Sequence, residues 1–255
     1  NLKSELLELE KKEKKMKDSL LFIRFAAQFA IENRTLSHIK QYRRWHRDKK
    51  SGESTLSLGL PWITYDAIKF LEKICNKSMR VFEWGSGGST IFFAIRCKEV
   101  ISVEHDIYWL NSLQKKIKEL KLNNASLIGI EGKPVDYFNK LDPENPDDFA
   151  SKEKNSSGLS YEDYVRSIDS YEKGYFDIIV VDGRARNSCI KRAIPHIKAG
   201  GYLIVDNSDR KYYLSPFPNL NNPAEWEKKE FTGPVFFQHA FGKTTIFKKL
   251  INSQR

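Results

Sequence analysis

The sequence is poor in cysteine, in long apolar runs and in acidic charge near its start, and each shortage narrows the reading. Of 255 residues only three are cysteines, Cys75, Cys97 and Cys189. They sit in apolar, helix-patterned contexts with no C-x-x-C pair and no histidine-rich companion, which argues against a disulfide framework or a zinc site and fits a reducing cytoplasm. The longest apolar run, LLFIRFAAQFAI at 20–31, is broken by Arg24 and Gln28, and it falls well short of the ~20 residues that span a bilayer. No transmembrane helix is expected. The chain begins at Asn1 rather than Met, so it reads as trimmed or as part of something longer. Its length suits one sizeable α/β domain with additions.

Charge is unevenly spread. The net charge is +10, and residues 1–50 hold 14 Lys and Arg against 7 Asp and Glu. A basic arm of this kind binds nucleic acid, an anionic membrane surface or an acidic partner; the plainer reading is a solvated helical face. Residues 2–18 (LKSELLELEKKEKKMKD) alternate Glu and Lys at helix-pair spacing with Leu2, Leu6 and Leu9 on one side, which predicts an exposed or loosely paired helix. Onward to Trp45, the residues Leu21, Phe22, Phe25, Phe29 and Leu36 predict one or two amphipathic helices packed on the core or on a second subunit. With Arg43, Arg44, Arg47, Lys49 and Lys50 following, peripheral contact with lipid headgroups is the other expectation. Residues 1–55 are read as a basic helical extension and 56–255 as the main domain.

Beyond residue 56 the pattern becomes regular. Thr64 is placed to start a helix carrying Ala67, Ile68, Phe70 and Leu71. Strands are predicted at 79–84, 99–104, 125–130, 176–182 and 201–206, with helices at 89–97, 107–121 and 186–198. Short, nearly continuous apolar strands joined by helices imply a parallel sheet covered on both faces. The interruption at 131–173 carries 11 acidic against 6 basic residues and a predicted helix in YEDYVRSIDSYEK; long loops of this kind serve as lids or stay without fixed structure. Two closing segments, EKKEFTG and KTTIFKKL, predict an antiparallel hairpin.

The stretch FEWGSGGST at 82–90 is a strand turning into a helix through small residues. Gly85, Gly87 and Gly88 allow a backbone to approach a ligand closely. A Walker loop is excluded because no Lys follows Gly88, and the dinucleotide fingerprint is weak because Thr90 stands where a third small residue belongs. Glu83, before the turn, suits a ligand ammonium. Glu104 lies 19 residues after Gly85, the spacing at which a carboxylate accepts both ribose hydroxyls. Ammonium plus ribose points to S-adenosylmethionine.

At these residues the sequence resembles the class I S-adenosylmethionine-dependent methyltransferases over roughly 60–250. The matching motifs are FEWGSGGST, VEHD, FDIIVVDGR and AGGYLIVDNS. The family's E-x-G-x-G-x-G pattern is incomplete, with Ser89 in place of the third glycine and Gly88 one position early. The resemblance implies an α/β fold with a doubly wound, mostly parallel seven-stranded sheet of the Rossmann-like methyltransferase type, carrying the helical extension at its N-terminus. It implies cofactor contacts from Glu83, Gly85, Ser86, Gly87, Gly88, Ser89, Thr90, Glu104, His105 and Asp182.

Asp182 and the pair Asp206-Asn207 end the fourth and fifth core strands, where such sheets bind ligands. Three hard oxygen donors suit Mg2+, and the arrangement resembles the metal-dependent O-methyltransferases of the catechol and macrocin type. That resemblance implies a metal on Asp182, Asp206 and Asn207, with Asp182 at the catalytic centre and a metal-lowered hydroxyl pKa. The plainer reading is that the two aspartates cap helices or touch the cofactor. Arg184 and Arg186 depart from that family and suit an anionic substrate group.

Trp62 and Tyr161, with Tyr65 and Tyr164, are placed to wall an acceptor pocket or to pack; Asp209, Arg210, His239 and Lys243 are further candidates that no spacing rule selects. The acceptor is expected to be a sugar, another polyhydroxylated small molecule or a glycan, methylated on oxygen. Nucleic acid is disfavoured: neither an N-P-P-Y-type element after the fourth strand nor a Pro-Cys nucleophile occurs. The remaining alternatives are a non-catalytic scaffold of the same fold, a nucleic-acid methyltransferase and a dinucleotide oxidoreductase. The chain is expected to be cytoplasmic or peripheral at a membrane, with self-association left open.

Overall fold

A computed structural model describes residues 16, 17, 19–31, 37–236, 238 and 241–251. Five parallel strands form the centre of a seven-stranded sheet: β1 (Arg80–Trp84), β2 (Glu99–Glu104), β3 (Ala125–Gly129), β6 (Phe176–Val181) and β7 (Ile197–Val205). The order is β3-β2-β1-β6-β7-β9-β8, with β8 (Trp226–Pro234) and β9 (Phe241–Lys249) forming the expected hairpin, whose β9 strand pairs antiparallel with β7. The expected seven-stranded, mostly parallel sheet is therefore present.

Alternation along each strand builds two cores. Val81, Val100, Ile178 and Ile204 face one side, beneath α4 (Tyr65–Ile74) and α5 (Gly88–Arg96). Phe82, Ile101, Ile179 and Leu203 face the other, against α8 (Arg186–His196) and α7 (Glu162–Arg166). In a sheet buried on both faces, every strand residue meets apolar neighbours, which is why these strands read as continuous apolar runs. The helix α6 (Ile107–Glu119) follows β2 and is capped by Asp106, whose side chain accepts from Trp109 N at 3.0 Å.

Local differences from expectation have physical causes. Thr64 occupies the N-cap of α4, but its hydroxyl donates across the sheet edge to Phe231 O at 3.3 Å and makes no cap bond. The helix expected across 161–173 stops at Arg166 and tightens into a 3-10 turn over Ser167–Ser170. The strand expected from 201 begins at Ile197, with a register shift opposite Phe176 and Ile178. The segment 131–173 folds into a small ribbon of β4 (Lys133–Pro134) and β5 (Leu159–Ser160) plus short helical turns. It is held to α8 by Asn187 Nδ2 donating to Glu144 O at 3.1 Å and by Ser188 Oγ accepting from Phe149 N at 3.2 Å.

The described part of the extension comprises a helix at 19–31, here α1, and α2 (Tyr42–Lys50), followed by the short α3 (Thr55–Leu58). Phe22 and Trp45 share a core cluster with Tyr65 and Ile246, and Trp45 Nε1 donates to Gln238 O at 2.7 Å. Tyr65 Oη donates to Asp48 Oδ2 at 3.0 Å, so Tyr65 packs beneath the extension and takes no place in an acceptor pocket. The helix expected at 2–18 lies, but for residues 16 and 17, outside the described residues, as do Leu36 and His239. Among the described residues no helix is long and apolar enough to cross a membrane.

Candidate functional site

Each of the strands β1, β2, β6 and β7 ends at one crevice of about 420 Å³. It opens where the sheet order reverses between β1 and β6, the place where a doubly wound sheet leaves a gap between diverging connections. Its lining includes Gly85, Ser86, Gly87, Gly88 and Ser89 from the glycine turn, Glu104 and His105 from the end of β2, and Trp62. Asp182, Arg184, Arg186, Asp206 and Asn207 complete the opposite wall. Thirteen of the sequence-selected residues thus converge. A larger apolar groove, about 710 Å³ and bordered by Phe22, Ile23, Ile39 and Tyr42, is lined among the described residues by no carboxylate or imidazole.

The glycine turn serves the fold as much as any ligand. Gly85 has φ +93°, and a Cβ there would lie 2.9 Å from Asp182 C and Gly183 N. A Cβ on Gly88 would come within 2.2 Å of Leu60 O and 2.3 Å of Thr55 O. These two glycines are demanded by backbones packed against each other. Only Gly87 presents its open side to the crevice, bounded by the Trp109 ring at 3.4 Å from a Cβ position.

Glu83 and Thr90 are corrections to the expected cofactor set. Both are fully buried beneath the turn and do not line the crevice. Thr90 and Ser102 donate their hydroxyls to Glu83 Oε1, and Gly87 N donates to Thr90 Oγ1 at 3.1 Å. Burial pushes the Glu83 carboxyl up to about 7 against the pull of these hydroxyls. Glu83 is placed to brace the turn from below and does not itself line the crevice.

Glu104 keeps its expected place. Its Oε2 accepts from Ser86 N at 2.8 Å and Ser86 Oγ at 3.1 Å, while Oε1 accepts from His105 N at 2.9 Å and Asp106 N at 3.0 Å. Burial opposes its charge, but the His105, Asp106 and Ser86 donors outweigh burial and hold the carboxyl below its usual range. His105 Nδ1 lies 2.7 Å from Glu104 Oε1, and its Nε2 accepts from Arg184 Nε at 3.1 Å. Because a guanidinium only donates, the ring proton of a neutral His105 resides on Nδ1. Tyr161 is a further correction: it is buried behind His105, its hydroxyl donates to Ser156 Oγ at 2.9 Å, and it does not reach the crevice.

Across the crevice, Asp182 has 28% of its side chain exposed. Burial and then the neighbouring Asp206 push its carboxyl up to about 8, against the pull of Arg186. Asp206 is likewise raised, chiefly by burial, with Arg186 and the Thr244 hydroxyl opposing; Thr244 Oγ1 donates to Asp206 Oδ1 at 2.7 Å. Asn207 holds φ +51°, a left-handed conformation that Asn tolerates better than most side chains.

The expected Mg2+ does not fit this wall. Arg186 Nη2 lies 3.0 Å from Asp182 Oδ1, and Nη1 lies 2.7 Å from Asp206 O. A full positive charge thus already lies against the Asp182 carboxylate and the Asp206 carbonyl, and a divalent ion there would meet it at close range. Among the described residues no group of three or more His, Cys, Asp or Glu side chains is arranged to hold a metal. The sequence also missed residues of the lining: Thr55, Asp106, Trp109, Gly183 and Gln238. Trp109 Nε1 donates to Ser86 O at 2.8 Å; an aromatic in the first turn of the helix after Glu104 was the available signal.

No family model matches the sequence, and no curated protein matches it. Among solved structures, the chain is similar to the O-methyltransferase from Bacillus cereus in complex with SAH, at 14% identity over 76% of this chain and 86% of that one, with a TM-score of 0.53. It is also similar to a candidate methyltransferase from Streptococcus mutans in complex with SAH, at 13% identity over 71% of this chain and 94% of that one, with a TM-score of 0.50. At such low identity the likeness concerns the backbone architecture. The chain has the Rossmann-like methyltransferase fold, with a group of charged side chains lining the crevice at the carboxyl ends of the central strands.

Proposed function

We propose that the protein is an S-adenosylmethionine-dependent methyltransferase acting on a hydroxyl oxygen of a small polar acceptor, such as a sugar or glycan. The observation that carries this reading is Glu104: an ionised carboxylate at the end of β2, facing a crevice beside the Gly85–Ser89 turn at the point where strand order reverses. The lining suits a nucleoside, since the ionised Glu104 borders the crevice beside the glycine turn and Trp109 offers a flat apolar face beside Gly87. S-adenosylmethionine supplies an electrophilic methyl group when bound.

Asp182 is the group placed to take the acceptor proton. Its raised proton affinity near neutral pH matches the demand on a general base, which must release and accept a proton within the working range. Arg184, held by His105, borders the same wall and orients a polar acceptor. Calorimetric titration with S-adenosylhomocysteine tests the reading. Micromolar affinity or better, about −8 kcal/mol, is expected; absence of heat over several temperatures overturns it.

The extension supports a separate proposal of peripheral membrane contact. Leu20, Ile23, Ile31 and Ile39 are exposed beside Arg43 and Arg47, the composition of a helix lying at an anionic interface. Vesicles containing phosphatidylserine are expected to sediment the protein while neutral vesicles leave it in solution, and the double substitution Ile23→Glu and Ile31→Glu is expected to abolish binding. Equal partition of parent and double variant removes the proposal.

A further inference from the structure

We infer that the oxygens at the ends of β6 and β7, the Asp182 carboxylate with the carbonyls of Asp182, Gly183 and Asp206, form a cation site that this chain fills with its own side chain, the Arg186 guanidinium. Arg186 opens α8, four residues after Asp182, yet its side chain curls back beneath the strand ends instead of pointing out along the helix. It is 8% exposed. Nε donates to Gly183 O at 3.0 Å, Nη1 to Asp206 O at 2.7 Å, and Nη2 to both Asp182 O and Asp182 Oδ1 at 3.0 Å each. The Tyr213 ring, 5.2 Å from the guanidinium carbon, covers one flank.

This pattern uses the planar fork of an arginine. Its donors point in fixed directions and each meets a carbonyl or carboxylate oxygen, whereas a divalent ion of the magnesium type asks for an octahedron of oxygens, several of them water. The guanidinium does not lose its proton in the accessible pH range, so the charge is permanent and needs no supply from solution. It joins the ends of two neighbouring strands, because its acceptors belong to the Asp182-Gly183 turn after β6 and to Asp206 after β7. Arg186 is therefore a positioning residue: it fixes the direction of Asp182 and provides the compensating charge.

A consequence follows for the acceptor, and this part rests on the methyltransferase reading. An acceptor hydroxyl meets the Asp182 carboxylate directly rather than through a shared metal. Two vicinal oxygens in a chelating arrangement are not required for recognition, so the acceptor class widens from catechol-like diols to single hydroxyls.

The test uses the whole chain and Mn2+ followed by paramagnetic resonance of the free ion, beside calorimetry with S-adenosylhomocysteine. The parent is expected to leave the Mn2+ signal unchanged. Arg186→Ala is expected to take up a single Mn2+ and to recover, in its presence, part of the melting temperature that it lost. Adding Asp182→Asn to that variant is expected to weaken uptake by about tenfold or more. Stoichiometric Mn2+ uptake by the parent, lost on Asp182→Asn, overturns the inference. So does an Arg186→Ala protein that binds S-adenosylhomocysteine and ignores Mn2+. Should Arg186→Ala fail to fold, the parent titration decides alone: no uptake upholds the inference and Asp182-dependent uptake overturns it. If the parent shows no heat with S-adenosylhomocysteine, the methyltransferase reading fails while the Mn2+ result still stands.

Discussion

The two walls of the crevice use the same functional group to opposite ends. At the end of β2, Glu104 receives backbone donors from Ser86, His105 and Asp106 and stays ionised. At the end of β6, Asp182 receives no such set of amides; burial and then the neighbouring Asp206 raise its carboxyl to about 8 against the pull of Arg186. The difference lies in what surrounds each carboxylate. Oriented N–H donors keep a buried charge stable, whereas burial without them, beside a second carboxylate, makes the proton worth keeping. One wall is thus suited to holding a ligand at every physiological pH and the other to exchanging a proton.

Three substitutions or titrations sharpen or break that comparison. The largest effect is expected for Glu83, buried between the walls with hydroxyl donors only. Its folded value of about 7 exceeds the ordinary 4.5, so the folded state is favoured below pH 4.5 and loses stability as pH rises through 7. Glu83→Gln removes that loss, and urea midpoints should show the variant gaining about 3 kcal/mol on the parent between the acid and alkaline ends of the window. A gap that does not change with pH would mean that amide-free burial does not raise a carboxyl here. Next, Glu104→Gln should weaken S-adenosylhomocysteine binding by about a hundredfold, the worth of charge-assisted hydrogen bonds to two hydroxyls, while Asp182→Asn leaves it nearly unchanged. Equal losses would erase the distinction between walls. The smallest effect concerns pH: transfer should rise by about tenfold per unit below pH 8 and level off above it as Asp182 loses its proton, with cofactor affinity flat over the same range. A rate that falls with rising pH would assign the proton transfer elsewhere.

Much of the frame was legible in the chain because strand burial and turn chemistry are local. FDIIVVD and GYLIVD carry their two-faced burial in their own composition, and the closing hairpin showed in the alternation of EKKEFTG and KTTIFKKL. Glu104 was singled out by its place at the end of the second strand, 19 residues after Gly85, and it lines the crevice. The roles of the glycines were not legible, since Gly85 and Gly88 answer to backbones of residues 182–183 and 55–60 that only the fold brings near. Glu83 was placed with a ligand because its position in the strand is right for one, yet Thr90 and Ser102 reach it first. Arg186 was read as a hand for substrate anions; its rotation back under the strand ends depends on carbonyls contributed by two different strands, and no spacing encodes that.

The distribution of indoles gives the crevice its own optical signal. Trp45, Trp84 and Trp226 are buried in the interior, whereas Trp62 and Trp109 are 51% and 37% exposed, and both of these border the crevice. Light emitted at the red edge of the tryptophan band therefore originates largely from the rim of the ligand cleft. A ligand entering the crevice would change the polarity around those two rings directly, so a fluorimeter can follow occupancy without a label, a coupled assay or knowledge of the acceptor.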